Sequence, residues 1–200
     1  MKMSIELQGK LSQCDKLQQQ LWTYRPLAED TLKGDILLNI DNETMAEFVI
    51  GSAGGVNISA TMQYKEVEPE EGDVAVKVTL KNLRGGHSGL EINQGRANAN
   101  KLMARFVRQA IADDEARLAS WSGGNMRNAI PRTAQVVLTV PAENLEDLKD
   151  LVAYCEGVFA NEFYGVEEGI SLTMEQTEMP AGEVPVEIQD NLVDALMACH

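Results

Sequence analysis

The clearest alternation of apolar and polar positions lies in the middle of the chain. Every second residue of a strand predicted over residues 73–80 is apolar, which is the period of a half-buried strand: Val74, Val76, Val78 and Leu80. A helical period follows over residues 94–112, where one apolar face comprises Ala99, Leu102, Met103, Phe106, Ala110 and Ile111. The pattern therefore predicts a strand followed by an amphipathic helix.

Two strands, a second helix and a last strand are predicted after this helix. The first two strands cover residues 117–121 and 133–140, with a turn at Gly123-Gly124 between them. The helix covers residues 144–163, and the last strand covers residues 170–175. The resulting order of strand, helix, strand, strand, helix and strand is the split βαβ pattern. We therefore expect an α+β fold, a ferredoxin-like two-layer sandwich in which an antiparallel sheet carries two helices on one face. The other face and an edge strand stay free to pair.

Both ends of the second helix carry sequence signals. Asn144 is a candidate N-cap, because its side chain can accept a hydrogen bond from the first turn. Gly165 is predicted to close the helix. The apolar face consists of Leu148, Leu151, Val152, Cys155 and Phe159.

The residues before 73 show weaker patterns. Residues 1–31 predict a helical N-terminal segment, because apolar residues recur at three- and four-residue steps: Leu7, Leu11, Cys14, Leu17 and Leu21. Strands are predicted over residues 36–40, 47–52 and 56–64, and a turn over residues 68–72.

Beyond the last strand, residues 180–185 are predicted to form a linker with a proline at each end. A further helix begins at Val186 and reaches the end of the sequence after few turns. We expect that helix to have nothing of its own to pack on. This leads us to expect that the sequence continues in a longer relative.

Composition and charge narrow the classes of protein that fit. The formal net charge is −14 at pH 7, which disfavours nucleic acids and anionic membranes as partners. No apolar run is long enough for a membrane span, and the start of the chain resembles no secretory signal. The cysteines, Cys14, Cys155 and Cys199, are odd in number and form no C-x-x-C motif, so we expect a cytoplasmic protein without a disulfide framework.

A complete catalytic site is not visible in the sequence. The chain has only two histidines, His87 and His200, and none of the motifs H-E-x-x-H, G-x-S-x-G or a phosphate-binding glycine loop. A catalytic zinc site needs about three converging protein ligands. We therefore do not expect one copy of this chain to build such a site.

The first local candidate is His87, in the segment RGGHSG over residues 84–89. Glycines on both sides let the backbone approach a ligand closely and hold the imidazole at a loop tip. The imidazole could donate a hydrogen bond to a carbonyl oxygen that gains charge in a transition state. The alternative interpretation is a glycine-rich turn with an exposed histidine.

Two further candidates come from a loop and from a strand end. In the loop over residues 123–132, Asn128 could orient a substrate amide and Arg132 could bind a carboxylate in bidentate fashion. A connecting loop with solvated arginines is the alternative. Asp41 follows the predicted buried strand, where a carboxylate could bind a metal, although turn-forming aspartates are commoner.

Taken together, five segments resemble a known family. They are LKGDILLNID (32–41), GSAGG (51–55), LRGGHSG (83–89), ANANKL (97–102) and RNAIPR (127–132). In order and spacing they resemble aminoacyl-histidine dipeptidases, also called Xaa-His or cytosol non-specific dipeptidases, which are zinc exopeptidases related to carnosinases. The resemblance extends from about residue 32 to the C-terminus.

The resemblance implies a two-domain enzyme that hydrolyses dipeptides and has two zinc ions in each active site. A smaller inserted lid domain, which has a ferredoxin-like core in this family, mediates homodimerisation. Residues 32–42 would be a remnant of a catalytic-domain strand, residues 43–180 the lid, and residues 181–200 a linker with the start of the return helix. Residues 1–31 do not match the family.

The resemblance also implies roles for individual residues. Asp41 matches a zinc ligand, and His87 matches the lid histidine that polarises the scissile carbonyl. Asn128 lies in the substrate-contacting Asn-x-Ile-Pro loop, and Arg132 is a weaker candidate for substrate binding. The matching segments lack the H-x-D motif, the bridging Asp, the Glu-Glu pair that supplies the general base, and the C-terminal His ligand.

The sequence leaves three hypotheses open. The first is the lid and dimerisation part of a zinc-dependent dipeptidase, inactive alone because most metal ligands and the general base are absent. The second is a stand-alone dimerisation or interaction module without catalysis. The third is an enzyme completed by a separately encoded catalytic partner.

Overall fold

The computed structural model describes residues 60–199, together with Asp35, Ala46 and Glu47. The strands of this part are β1 (Asp73–Lys81), β2 (Gly86–His87), β3 (Arg117–Gly123), β4 (Ala129–Ile130), β5 (Ala134–Pro141) and β6 (Ser171–Gln176). The α-helices are α1 (Ala99–Asp114), α2 (Leu145–Glu162) and α3 (Val186–Ala198), and one-turn 3-10 helices cover Ile92–Gln94 and Ala142–Asn144.

Four strands form an antiparallel sheet in the order β3-β5-β1-β6. The central pair places Val76 opposite Leu138, and the edge pair places Leu80 opposite Leu172. Between β3 and β5 the register shifts once, between Leu118 and Ser120. The predicted α+β fold, a two-layer sandwich with an antiparallel sheet, is confirmed, and the strand order is that of a ferredoxin-like core.

The core lies between this sheet and the helices α1 and α2. The apolar positions predicted for β1 and for both helices are buried or half-buried, and Phe106 and Phe159 are among the largest side chains that are fully enclosed. Burying a side chain of this kind contributes about 1.5–3 kcal/mol. The helix faces therefore provide much of the stability of the layer that supports the loops described below.

Helix α1 begins at Ala99, five residues after the predicted start. Gly95 has a left-handed backbone with φ +67°, which ends the preceding 3-10 turn. Asn98 then caps the helix, because its Oδ1 accepts from Asn100 N at 3.0 Å and Lys101 N at 3.4 Å. The apolar period was right and the start was wrong, because this local cap sets the boundary.

Asn144 precedes α2 as predicted, but its side chain does not cap the helix. Its backbone dihedrals are φ −89° and ψ 0°, and its Nδ2 donates instead to Asp114 O at 3.1 Å. Two carboxylates in the first turn, Glu146 and Asp147, stabilise the positive end of the helix dipole. The predicted position was right and the predicted capping contact was wrong.

The expectation that the C-terminal helix has nothing to pack on is wrong. Val193 of α3 is buried in the same core, and Lys101 Nζ on α1 donates to Leu196 O at 3.0 Å and Met197 O at 2.9 Å. The segment before α3 is also held, because Val184 N donates to Leu118 O at 2.8 Å on the edge of β3. The apolar face of α3 is thus covered by α1.

A buried polar cluster fastens the predicted linker to the sheet. Glu183 is buried, and its carboxylate accepts a hydrogen bond from Thr139 Oγ1 of β5. Its backbone forms a pair of hydrogen bonds with Val67, at 2.8 and 3.1 Å. The linker therefore follows the surface of the sheet closely.

Several predictions concern residues that the structure does not describe. They are the helical segment 1–31, the strands over 36–40 and 47–52, and the strand remnant 32–42 with Asp41; of these positions only Asp35 and Glu47 are described. The strand predicted over 56–64 is wrong for its described part, since residues 60–64 are exposed and unpaired there. The turn over residues 68–72 is confirmed. Within the described residues, no helix is long and apolar enough to span a membrane.

Candidate functional site

A small β-ribbon joins the two candidate loops. Strands β2 and β4 pair so that His87 lies opposite Ala129. At the next position of the ribbon, Ser88 N donates to Asn128 O at 3.0 Å. The structure therefore brings His87 and Asn128 together, although 40 residues of sequence separate them.

Backbone donors fix the form of the His87 ring. Its Nδ1 accepts from Gly89 N at 3.0 Å and from Leu90 N at 3.1 Å. In the neutral ring the proton therefore lies on Nε2. The side chain is exposed, so this N–H is available as a donor to a ligand. A fixed N–H donor of this kind can bond to an oxygen that gains negative charge.

The glycines before His87 are required by close packing. Gly85 has φ +63°, and a Cβ there would overlap Arg132 Cγ. Gly86 has φ +150°, and a Cβ there would overlap Arg96 Nη1 and lie 2.7 Å from Glu91 Oε2. Both positions thus need glycine for its conformation and for its missing side chain. Arg132 covers the backbone of the histidine loop.

A buried carboxylate closes the base of the histidine loop. Glu167, five residues after the end of α2, accepts from Arg84 N at 2.6 Å and from Ala97 N at 2.9 Å. Its side chain is buried, so these hydrogen bonds are shielded from water. The loop over residues 84–97 therefore has both ends attached to one side chain.

Asn100 fixes the start of the second loop. Its Oδ1 accepts from Trp121 Nε1 at 3.1 Å, and its Nδ2 donates to Gly123 O at 3.3 Å. On the other side of the loop, Pro131 O accepts from Ala99 N at 3.0 Å. The N-terminus of α1 thus holds both ends of the loop that contains Asn128.

Two hollows adjoin the ribbon. One of about 480 Å³ lies between the loops, and its wall includes Ser88, Ile92, Asn98, Met126 and Pro131. The other, of about 640 Å³, is lined in part by Lys81 and Arg132. The first offers an apolar wall with amide groups, and the second offers two cationic side chains that suit a carboxylate.

Metal-binding side chains do not converge in the described residues, where no group of three or more His, Cys, Asp or Glu could hold an ion. Asp41, the candidate zinc ligand, lies outside the described residues.

Sequence reasoning missed Glu91, Arg96 and Glu167, which hold the histidine loop. Glu91 and Glu167 lie outside the predicted elements, and Arg96 is a polar position of the helix predicted over residues 94–112. Glu167 is 80 residues away from His87. The only local signal was the charge pair at residues 91 and 96, which has no helical spacing.

The comparison with protein families finds a match in this region. Residues 78–167, from within β1 to Glu167, match a family described as a peptidase dimerisation domain. These residues are therefore similar to that family over slightly less than half of the chain. The match contains α1, α2, β3, β5 and both loops of the ribbon, so the matched region includes His87 and Asn128.

The chain is also similar to parts of longer dipeptidases. The chain is 34% identical over 167 residues to the cytosol non-specific dipeptidase of Escherichia coli (strain K12), covering 84% of this chain and 34% of the relative. The crystal structure of aminoacylhistidine dipeptidase from Vibrio alginolyticus aligns with a TM-score of 0.66 and 36% identity over 68% of this chain and 28% of that chain. The resemblance to these dipeptidases is confirmed. The chain spans about a third of the length of the curated relative.

Proposed function

We propose that this chain is the lid and dimerisation part of a zinc-dependent dipeptidase that hydrolyses Xaa-His and other dipeptides, and that it is inactive alone. The observation that carries the proposal is that His87 is held in one tautomer, on an exposed loop in the region that matches a peptidase dimerisation domain. In this proposal residues 43–180 are the lid, residues 32–42 belong to a catalytic-domain strand, and residues 181–200 lead back into that domain. The protein works in the cytoplasm.

In the proposed reaction, the lid supplies a hydrogen-bond donor and substrate contacts. His87 Nε2–H donates to the scissile carbonyl oxygen, whose negative charge grows as water attacks the carbon. Asn128 lies beside His87 and orients the dipeptide, and Arg132 lines the neighbouring hollow, where it can bind the terminal carboxylate. Removing one such donor typically costs 10²–10³ in kcat.

The described residues do not fit a zinc ion, since they bring no group of three ligands together. We therefore derive no step through zinc from this chain. In the proposal the two zinc ions are held mainly by the catalytic domain, with Asp41 as a ligand to one of them. The general base also comes from that domain.

We further propose that the dimerisation domain forms a homodimer through α2 and the edge strand β6. Tyr154 on α2 is 63% exposed, and Ala153 and Gly157 beside it are small and exposed. Among the described strands, β6 pairs with β1 alone, so its outer edge can accept a second strand. A second copy of this surface is the occupant that the matched family favours.

A chimaera tests the catalytic role of the lid. Residues 60–199 would replace the equivalent lid of the cytosol non-specific dipeptidase of Escherichia coli, and hydrolysis of a histidine-containing dipeptide would be measured with zinc. We expect the chimaera to be active and the variant His87→Ala to lose roughly 100-fold in kcat. Equal rates for the two chimaeras would contradict the proposed role of His87.

The isolated chain provides the second half of this test. We expect the purified 200-residue protein with added zinc to show no turnover. Zinc-dependent turnover that disappears in His87→Ala would show instead that this chain builds its own metal site, and it would overturn the proposal of inactivity. A folded chain that forms a dimer, with an inactive chimaera, would favour a stand-alone interaction module.

A further inference from the structure

We propose that Arg96 and Glu91 are positioning residues for His87. The pair holds the turn over residues 87–91 closed, and this closed turn directs two backbone N–H groups at the Nδ1 atom of the imidazole. The inference rests on the proposed function only for the catalytic role of the imidazole, since the positioning of the ring is a property of this chain.

Two hydrogen bonds join Glu91 to the backbone of His87. His87 N donates to Glu91 Oε2 at 2.8 Å, and Glu91 N donates to His87 O at 3.0 Å. This pair of hydrogen bonds joins both the side chain and the backbone N–H of Glu91 to the backbone of His87. It sets the path of the chain between the two residues, and hence the direction of the N–H groups of Gly89 and Leu90.

Arg96 holds the carboxylate of Glu91 in place. Its Nη2 lies 2.6 Å from Glu91 Oε1, and its Nη1 donates to Gly85 O at 2.6 Å. Nη2 also donates to Gln94 Oε1 at 2.8 Å. The Arg96 side chain is only 9% exposed, so water screens these contacts less than those of a surface pair. The guanidinium therefore ties together the residues before and after His87.

The ring depends on this arrangement through the turn. Without the two hydrogen bonds between Glu91 and the His87 backbone, Gly89 N and Leu90 N are free to turn away from the imidazole, and Nδ1 loses its donors. The ring then has no fixed tautomer and no fixed direction. The charge on Glu91 belongs to the same arrangement, because the His87 N–H and then Arg96 lower the pKa of its carboxyl below the ordinary value of 4.5.

The test is an NMR measurement on the full chain, which needs no activity. In a His200→Gln background, ring signals come from His87 alone, since the sequence has two histidines. Long-range proton–nitrogen spectra report the tautomer, and amide exchange reports the bonds from Gly89 and Leu90. We expect Glu91→Gln and Arg96→Lys to speed exchange of these two amides about tenfold or more and to mix the tautomers.

A matched ion pair provides the control. Arg105 Nη1 lies 2.7 Å from Glu162 Oε2 on the helical layer, and we expect Arg105→Lys to leave the His87 ring and both amides unchanged. Should Arg96→Lys fail to fold, the half-buried Glu91 still decides, because Glu91→Gln keeps the size of the side chain. Unchanged exchange and an unchanged single tautomer in folded Glu91→Gln would overturn the proposal.

The result is separable from the proposed function. A chimaera that is indifferent to His87→Ala would remove the catalytic role of the ring and leave the NMR result standing. An unchanged ring in Glu91→Gln would remove the positioning role and leave the catalytic proposal intact.

Discussion

At the scale of single residues, the histidine loop is held by one distant side chain, Glu167, and by two charged side chains of the loop itself, Glu91 and Arg96. Glu167 fixes its two ends, and Arg96 with Glu91 fixes its centre. The glycine motif permits this packing, since a Cβ at Gly86 would collide with Arg96. The glycine motif and the charged side chains are thus parts of the same packed arrangement.

The glycine motif alone could be found in the sequence, because glycines around a histidine are a local pattern. The orientation of the His87 imidazole could not be predicted from the sequence. Gly89 N and Leu90 N set that orientation, and their directions depend on a turn closed by Glu91. The contact between Glu167 and Arg84 spans 83 residues. Such a contact follows from tertiary packing and leaves no periodic signal in the sequence.

The anchoring role of Glu167 leads to a stability prediction. Both of its carboxylate oxygens accept from backbone N–H groups, and an amide in its place would turn one NH2 group against such a donor. We expect Glu167→Gln to lower the free energy of unfolding by about 1–3 kcal/mol. Urea denaturation measures this change.

The neighbouring Glu168 provides the matched control, because it is exposed and undergoes the same chemical change in Glu168→Gln. We expect that variant to stay within about 0.5 kcal/mol of the parent. Equal stability of the two variants would show that the bonds from Arg84 and Ala97 contribute nothing to folding.

At the scale of elements, apolar periods predicted the helices and strands well and their ends less well. The buried faces of α1 and α2 match the predicted residues because core packing imposes the period directly. The start of α1 was missed, because Gly95 and the Asn98 cap act locally. The packing of α3 was missed because a short helix gives no sign of which surface covers it.

The end of α1 carries an unfavourable charge. Asp114 is its last residue and is buried, and its Oδ2 has no hydrogen-bond partner within the described residues. Burial, followed by the nearby carboxylates of Asp113 and Asp147, raises the pKa of Asp114 above the ordinary 3.8. A negative charge at the C-terminus of a helix also opposes the helix dipole.

Asp114→Asn should therefore stabilise the protein at pH 7, by roughly 1 kcal/mol. A raised pKa in the folded state means that ionising Asp114 costs more there than in the unfolded chain, so the penalty is present above the folded pKa. Below pH 3.8 the group is protonated in both states, and the advantage of the Asn variant disappears.

Thermal or urea unfolding across this pH range measures the difference between parent and variant. Asp113→Asn is the control, because it removes the same charge from an exposed neighbour and should give a smaller gain. A gain for Asp114→Asn that persists unchanged at low pH would show that charge is not its cause.

At the scale of the whole described unit, the surfaces differ in what covers them. The edge of β3 is partly occupied, because Val184 N and the Gln189 side chain bond to Leu118. The open face of the sheet is polar, as in the pair of Lys77 Nζ and Glu175 Oε1 at 2.5 Å. On the outer edge of β6, Leu172 N donates to Glu156 Oε1 of α2 at 3.1 Å, and the rest of that edge and the exposed surface of α2 remain for a second copy.

The proposed dimer predicts the effect of a charge on α2. We expect the parent chain to be a dimer in sedimentation equilibrium and Tyr154→Glu to weaken association by about 30-fold or more, since truncating or charging a central aromatic residue costs about 2 kcal/mol. Ile92→Glu is the matched control, because Ile92 is 61% exposed against 63% for Tyr154 but lies on the histidine loop. It should leave the dimer intact. If both variants dimerise like the parent, the interface does not depend on Tyr154. The outer edge of β6 is then the next surface to test, with the variant Met174→Pro.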